Sequence, residues 1–272
     1  MGLGRFSMGA QRECRCVVTR RSHLAAETYC RCDRLGDTRS YPAAELPPQV
    51  QMSAQEQSDQ RKREEIRAVV VDYDLVLCRS PREEHVDRMA TAFGVDHHTF
   101  WRLYEQNRGP LDKGDLTPAA YWKSLARDAG SKVDAFTNER LQDLGIDMWD
   151  STEQPLLEWV QTLQAVGYKT ALLSNSHLRF VAHLRQNRPW LRFFDVCVFS
   201  AEVRLIKPDP AIFRYTLEKL GTDSSSVLFI DDRFSNVSVA RFLGIESIRF
   251  TTLIQLNKEL TDLGFSHLVR TP

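Results

Sequence analysis

No run of the 272 residues approaches the ~20 consecutive apolar positions that a bilayer span requires, and the N-terminus lacks the apolar centre of a secretory signal. Net charge is missing too. The 36 basic and 36 acidic residues cancel, so nothing in the total favours nucleic acid or a membrane surface as a partner. Cysteine is sparse beyond the first 32 residues: Cys78 and Cys197 stand alone and read as free thiols of a reducing compartment. Together these absences predict a soluble, cytoplasmic protein. The charge balance conceals an asymmetry. Residues 1–40 hold eight Arg and no Lys against four acidic residues, leaving 28 basic and 32 acidic residues for the remainder.

In that leader Cys14, Cys16, Cys30 and Cys32 form two C-x-C pairs with His23 between them. A zinc site is one reading, although zinc knuckles use C-x-x-C spacing. The Arg-rich, acid-poor composition also resembles a transit peptide. Residues 1–64 show no sustained period and run into the polar stretch SAQEQSDQRKREE. This predicts a disordered extension, with Met52 as an alternative start.

What is present begins at residues 68–77, AVVVDYDLVL. Three valines run into Asp72 and Asp74, so an apolar strand over 67–73 ends in two carboxylates. Burying such a pair is costly unless a cation or a shared proton meets it. Residues 83–149 follow with helical periodicity and no strand, with helices expected at 83–93, 97–107, 118–129 and 135–144. The NRGPLDKGDLTP stretch is expected as a loop. The chain then alternates. Helices at 154–165, 178–187, 210–220 and 236–243 separate strands at 168–173, 195–199, 227–230 and 246–250, and a terminal helix closes the chain. Such alternation predicts an α/β fold, a parallel sheet covered by helices on both faces. The domain reading is an extension over 1–64, an α/β core over 65–80 and 150–272, and a small helical cap over 81–149 inserted after the first strand.

Three strands end in polar residues at one sheet edge: DYD, SNS at 174–176 and DD at 231–232, with Lys207 in the loop after a fourth strand. Each residue type has a part in phosphoryl transfer. Asp72 can attack phosphorus as a carboxylate nucleophile. Asp74 can protonate the leaving oxygen and then deprotonate water. Asp231 and Asp232 offer hard oxygen ligands for Mg²⁺. Ser174 can donate to a phosphate oxygen, and Lys207 supplies fixed positive charge.

On these motifs residues 66 to about 252 resemble the haloacid dehalogenase-like (HAD) superfamily hydrolases: DYDLV at 72–76, LLSNS ending at 176, Lys207 in KPDP, and FIDDR at 229–233. Asn236 and Gly244 fit the same pattern, and the helical insert resembles a subclass I cap. The resemblance implies a Rossmann-like core and an aspartyl-phosphate intermediate. It also implies Mg²⁺ held by Asp72, the Asp74 carbonyl and Asp232, with Asp231 direct or through water. One departure is Leu75, where the family commonly has Gly. Leu resists backbone conformations that Gly permits, which predicts an altered turn.

The expected function is Mg²⁺-dependent hydrolysis of a small phosphorylated metabolite, a sugar phosphate or a phosphoglycolate-like acid, by a monomer or homodimer. The alternatives are a dehalogenase-type hydrolase and a catalytically weak HAD-fold binding protein. Arg108 is a candidate for binding the substrate from the cap loop that also carries Asp112 and Lys113, and Asn175 a candidate from the second motif. Phe100, Trp101, Tyr104, Tyr121 and Trp122 have the spacing of a cap core. His177 reads as a surface residue at a helix N-terminus.

Overall fold

The structure is a computed structural model that describes residues 15–18, 28–31, 66–132 and 134–269. The chain divides into two compact units, Met1–Ser53 and Ala54–Pro272. In the first, β1 (Arg15–Val18) and β2 (Thr28–Arg31) pair antiparallel with Cys16 opposite Cys30. The sequence offered no sign of these strands. The remainder of the expected extension, with Cys14, His23 and Cys32 of the zinc reading, lies outside the described residues.

The second unit is built on β3 (Ala68–Val71), whose four residues are all buried. Val69 and Val71 face one hydrophobic cluster while Ala68 and Val70 face another, as period-2 alternation requires of a strand covered on both sides. Each buried Val stabilises the fold by about 1.5–3 kcal/mol. Five helices follow: α1 (Glu83–Phe93), α2 (His97–Gln106), α3 (Arg108–Asp112), α4 (Pro118–Asp128) and α5 (Ala135–Met148). Then come α6 (Gln154–Ala165), β4 (Lys169–Ser174), α7 (Leu178–Asn187), β5 (Val196–Phe199), the short α8 (Ser200–Val203) and α9 (Pro210–Leu220). The chain closes with β6 (Val227–Asp231), α10 (Phe234–Phe242), β7 (Glu246–Arg249) and α11 (Leu253–Asp262).

All pairings in the five-stranded sheet are parallel, in the order β5-β4-β3-β6-β7. The chain builds outward from β3 through β4 to β5, then crosses back to β6. The crevice at the carboxyl end of β3 is therefore a topological switch point, where open α/β sheets bind ligands.

Two differences from expectation concern the helical insert. The stretch 107–118 is not all loop: Arg108–Asp112 makes a helical turn, with Pro110 in the first turn, where no intrahelical N–H is required. Helix α5 runs four residues past its expected end at 144. It passes through Gly145, where a Cβ would sit 2.8 Å from the Trp122 ring, so the glycine serves helix-to-helix approach and is no terminator. Phe100, Tyr104, Tyr121 and Trp122 are buried together with Phe93, while Trp101 is only partly buried.

The insert leaves and rejoins the sheet domain side by side. The Arg79 N–H donates to the Ser151 carbonyl and the Glu153 N–H to the Leu77 carbonyl, both at 2.7 Å. Gly114, with φ +79°, brings the loop after α3 against Ala201, whose carbonyl would lie 3.1 Å from a Cβ at that position.

Candidate active site

Asp72 follows the last residue of β3, and its own N–H donates to the Ile230 carbonyl of β6 at 2.9 Å. The chain then makes a wide turn over Tyr73–Leu77, closed by the Cys78 N–H donating to the Tyr73 carbonyl at 2.8 Å, in which Asp74 is extended (ψ 130°) and Leu75 adopts φ 57°, ψ 4°. The turn that suits Gly is thus formed with Leu at its left-handed position. This costs roughly 1–2 kcal/mol of backbone strain. The Asp72 carboxylate accepts from the Tyr73 N–H at 2.6 Å.

Lys207 joins the carboxylates. Its side chain is 1% exposed, and Nζ lies 2.7 Å from Asp72 Oδ1, 2.7 Å from Asp231 Oδ2 and 2.8 Å from the Leu173 carbonyl. Burial alone would lower the Lys207 pKa. Asp231 and Asp72 outweigh it and keep the ammonium charged. Removing one partner from such a buried set leaves an uncompensated charge and costs about 3–5 kcal/mol.

Asp231 is surrounded by donors. Beyond Lys207, Asn236 Nδ2 reaches both its oxygens at 2.9 and 3.0 Å, and the Arg233 N–H donates at 2.8 Å. Burial works against its charge, but Lys207, a hydrogen bond with Asp72 and the Arg233 N–H hold its pKa below the ordinary carboxylate value. Asp232 differs: its Oδ1 is buried with no donor among the described residues. Asp72, Asp231 and Asp232 each offer an oxygen within 4.8 Å of the others. Burial pushes the Asp72 pKa well up, the Asp231 charge pushes it further, and Lys207 opposes them. A buried all-oxygen set with an orphaned carboxylate oxygen fits a hard divalent cation such as Mg²⁺.

Asp72, Lys207 and Asp232 open onto one cavity of about 410 Å³ that Asp74 and Asn175 also line, with Asp231 buried behind them. Asp74 is held above its ordinary value, at about 6, by burial, with Arg108 opposing and Asp112 reinforcing the rise. Arg108 lines the same cavity. Its guanidinium carbon stacks 4.8 Å above the centre of the Tyr104 ring, its Nε meets Asp112 Oδ2 at 3.0 Å, and one terminal nitrogen lies 4.0 Å from Asp74 Oδ2.

Ser174 behaves otherwise. It is fully buried, with its hydroxyl 2.7 Å from that of Ser176, and Asn175 is the second-motif residue that reaches the cavity wall. Alternation along β4 explains this: Ser174 shares the phase of Leu172, which points into the helix-covered core. The Ser176 N–H donates to Ser200 Oγ, and the Ser200 hydroxyl donates to the Asp112 carbonyl. A chain of buried serines thereby ties the end of β4 to α3. His177 is partly buried and is no surface residue. It caps α7 by accepting from the Phe180 N–H at 3.3 Å, and burial with nearby Arg108 and Arg179 lowers its pKa to about 3. Lys113 is exposed, 3.8 Å from Asp115.

Sequence reasoning gave Trp101 to the cap core and passed over Trp149, Glu105 and Arg233, yet all four line the cavity. Trp101 was legible in principle. It sits one position off the buried stripe Phe100, Leu103, Tyr104 and so lies on the flank of α2. Trp149 has no such signal. It sits where the insert rejoins the core, its Nε1 donating to Tyr104 Oη at 2.8 Å and its carbonyl accepting from Tyr73 Oη and Cys78 Sγ, both at 2.9 Å.

The sequence profile of the haloacid dehalogenase-like hydrolases matches residues 66–244, and the chain belongs to that family. Among curated proteins it is 39% identical over 208 residues to drimenol cyclase drtB of Aspergillus calidoustus, covering 73% of this chain and 36% of the relative. It is 35% identical over 215 residues to acyl-CoA dehydrogenase family member 10 of Mus musculus, covering 73% of this chain and 19% of the relative. The chain thus spans well under half the length of either protein. A HAD family enzyme of Bacteroides thetaiotaomicron has the same fold, with a TM-score of 0.60 at 23% identity over 76% of this chain and 99% of that one. It has also been solved in complex with magnesium and inorganic phosphate, at a TM-score of 0.57 and 23% identity over 68% and 94% of the two chains. Among the described residues no helix is long and apolar enough to cross a membrane.

Proposed function

We propose that this HAD-family hydrolase cleaves a small phosphomonoester in two steps on Asp72. The carboxylate attacks phosphorus and the bond to the leaving alcohol breaks, with Asp74 giving its proton to the departing oxygen. Water then attacks the aspartyl-phosphate while Asp74 takes the water's proton, releasing inorganic phosphate and regenerating Asp72. Lys207 holds Asp72 in place and sets a fixed positive charge beside the oxygens of the transferring group. Asp231 orients Lys207, and Asn175 holds the backbone that carries it.

Asp72 and Asp232 would hold Mg²⁺, with the Asp74 carbonyl as a further oxygen and Asp231 direct or through water. When bound, the ion supplies positive charge that favours the ionised form of Asp72 and offsets the phosphate's charge.

The observation that carries the reading is Asp74, in the same cavity as Asp72 with a pKa raised to about 6. An alkoxide leaving group needs a proton from such an acid, whereas a halide leaves without one, so phosphate ester cleavage accounts for Asp74 and dehalogenation does not. The test is Mg²⁺-dependent release of phosphate from p-nitrophenyl phosphate by wild type and Asp72→Asn. A loss of three or more orders of magnitude is expected in the variant, and equal rates would remove Asp72 as the nucleophile.

A further inference from the structure

Every basic side chain that lines the cavity already faces acids. Lys207 lies between Asp72 and Asp231, Arg233 is 3.5 Å from Glu105, and Arg108 meets Asp112 and approaches Asp74. The acids are in surplus. Asp112 is 6% exposed, lines the cavity, and has one carboxylate oxygen that no donor meets among the described residues. Its position is fixed at both ends, by Arg108 at the carboxylate and by the Ser200 hydroxyl at the carbonyl. The rest of the wall joins the apolar and aromatic Leu75, Pro81, Trp101, Trp149 and Ile206 to the uncharged polar Ser80, Asn175 and Asn236.

We infer that Asp112 is a specificity determinant: by spending the charge of Arg108, it directs the site toward phosphomonoesters of uncharged, largely apolar alcohols and away from those whose alcohol carries a carboxylate. The inference rests on the phosphatase reading and deepens it. Arg108 alone would be a ready partner for a substrate carboxylate, because its planar fork suits bidentate binding. Paired with Asp112, it offers an incoming anion a neutralised guanidinium, and the buried second oxygen of Asp112, which no donor meets among the described residues, adds uncompensated negative charge behind it. An uncharged alcohol loses nothing by this arrangement and gains contact with the two indoles and the aliphatic wall. A cavity of about 410 Å³ also has room beyond the phosphate for a leaving group larger than a two-carbon acid. The phosphoglycolate-like acid expected from sequence is therefore the disfavoured branch, and the aromatic wall replaces it with hydrophobic recognition.

The test uses two phosphonates that cannot be hydrolysed, benzylphosphonate and phosphonoacetate, titrated calorimetrically into the full chain with Mg²⁺ present. Wild type is expected to bind benzylphosphonate at least tenfold more tightly, and this ratio needs no substitution to be read. Asp112→Asn frees Arg108 and is expected to narrow the ratio fivefold or more, as is Asp112→Ser. Phosphonoacetate binding as tightly as benzylphosphonate in wild type would overturn the inference. So would binding of neither ligand, or an unmoved ratio in variants that keep the wild-type circular dichroism spectrum. Assaying benzyl phosphate hydrolysis separates the two readings. The expected binding order without any phosphate release sinks the phosphatase reading alone, whereas phosphate release with a reversed order sinks only the specificity.

Discussion

Asn175 grips the backbone of Lys207 from both sides: its Nδ2 donates to the Lys207 carbonyl and its Oδ1 accepts from the Lys207 N–H, each at 2.9 Å. The second motif thereby fixes the third, and an amide that sequence reasoning assigned to substrate has both its polar ends engaged with protein.

Asn175→Ala is therefore expected to act through Lys207. It removes two hydrogen bonds worth about 0.5–1.5 kcal/mol each, so stability should fall by about 1–3 kcal/mol. In the assay with p-nitrophenyl phosphate, kcat should fall by an order of magnitude or more while KM changes less than threefold, the mark of an interaction used in the transition state. A large rise in KM with kcat preserved would return Asn175 to substrate binding.

His177 makes stability depend on pH. Its folded pKa of about 3 lies below the ordinary 6.5, so between these values the unfolded chain binds the extra proton and stability falls as pH falls. Above the ordinary value the contribution is complete. Between pH 6.5 and about pH 5, wild type is expected to lose about 1.5 kcal/mol more than His177→Asn, in which Asn retains an N-cap acceptor. Urea denaturation at several pH values reads the difference, and parallel curves for the two proteins would contradict it.

Leu75 stores strain that its family position does not ordinarily carry. Leu75→Gly relieves roughly 1–2 kcal/mol of left-handed strain and gives back about 0.5–1 kcal/mol in unfolded-chain entropy. Leu75 is 40% exposed, so part of a leucine's burial, about 1 kcal/mol, is lost as well. Comparison with Leu75→Ala, which loses the same contacts but keeps the Cβ, isolates the strain: Leu75→Gly is expected to be the more stable of the two by about 0.5–1 kcal/mol in urea denaturation, and a less stable Leu75→Gly would mean that the turn is not strained by a side chain.

Most of the fold was legible because local and global signals agree. Short apolar runs between helical stretches mark buried parallel strands, and DYD and DD fall at strand ends that the order β4-β3-β6 brings together. Four features escaped for physical reasons. Gly109 and Pro110 imitate a loop, yet a proline is harmless in a first helical turn. Gly145 looks like a helix stop until Trp122 is seen against it. The direction of Ser174 depends on strand phase at a terminus, which composition does not specify. The engagement of Asp231 by Asn236 and Lys207 was equally hidden, since residues of one acidic pair look alike until their donors are placed.

The paired crossings at Arg79–Ser151 and Leu77–Glu153 have an architectural consequence. Because the outgoing and returning segments are hydrogen-bonded to each other, any displacement of the helical insert against the sheet has to carry both of them together.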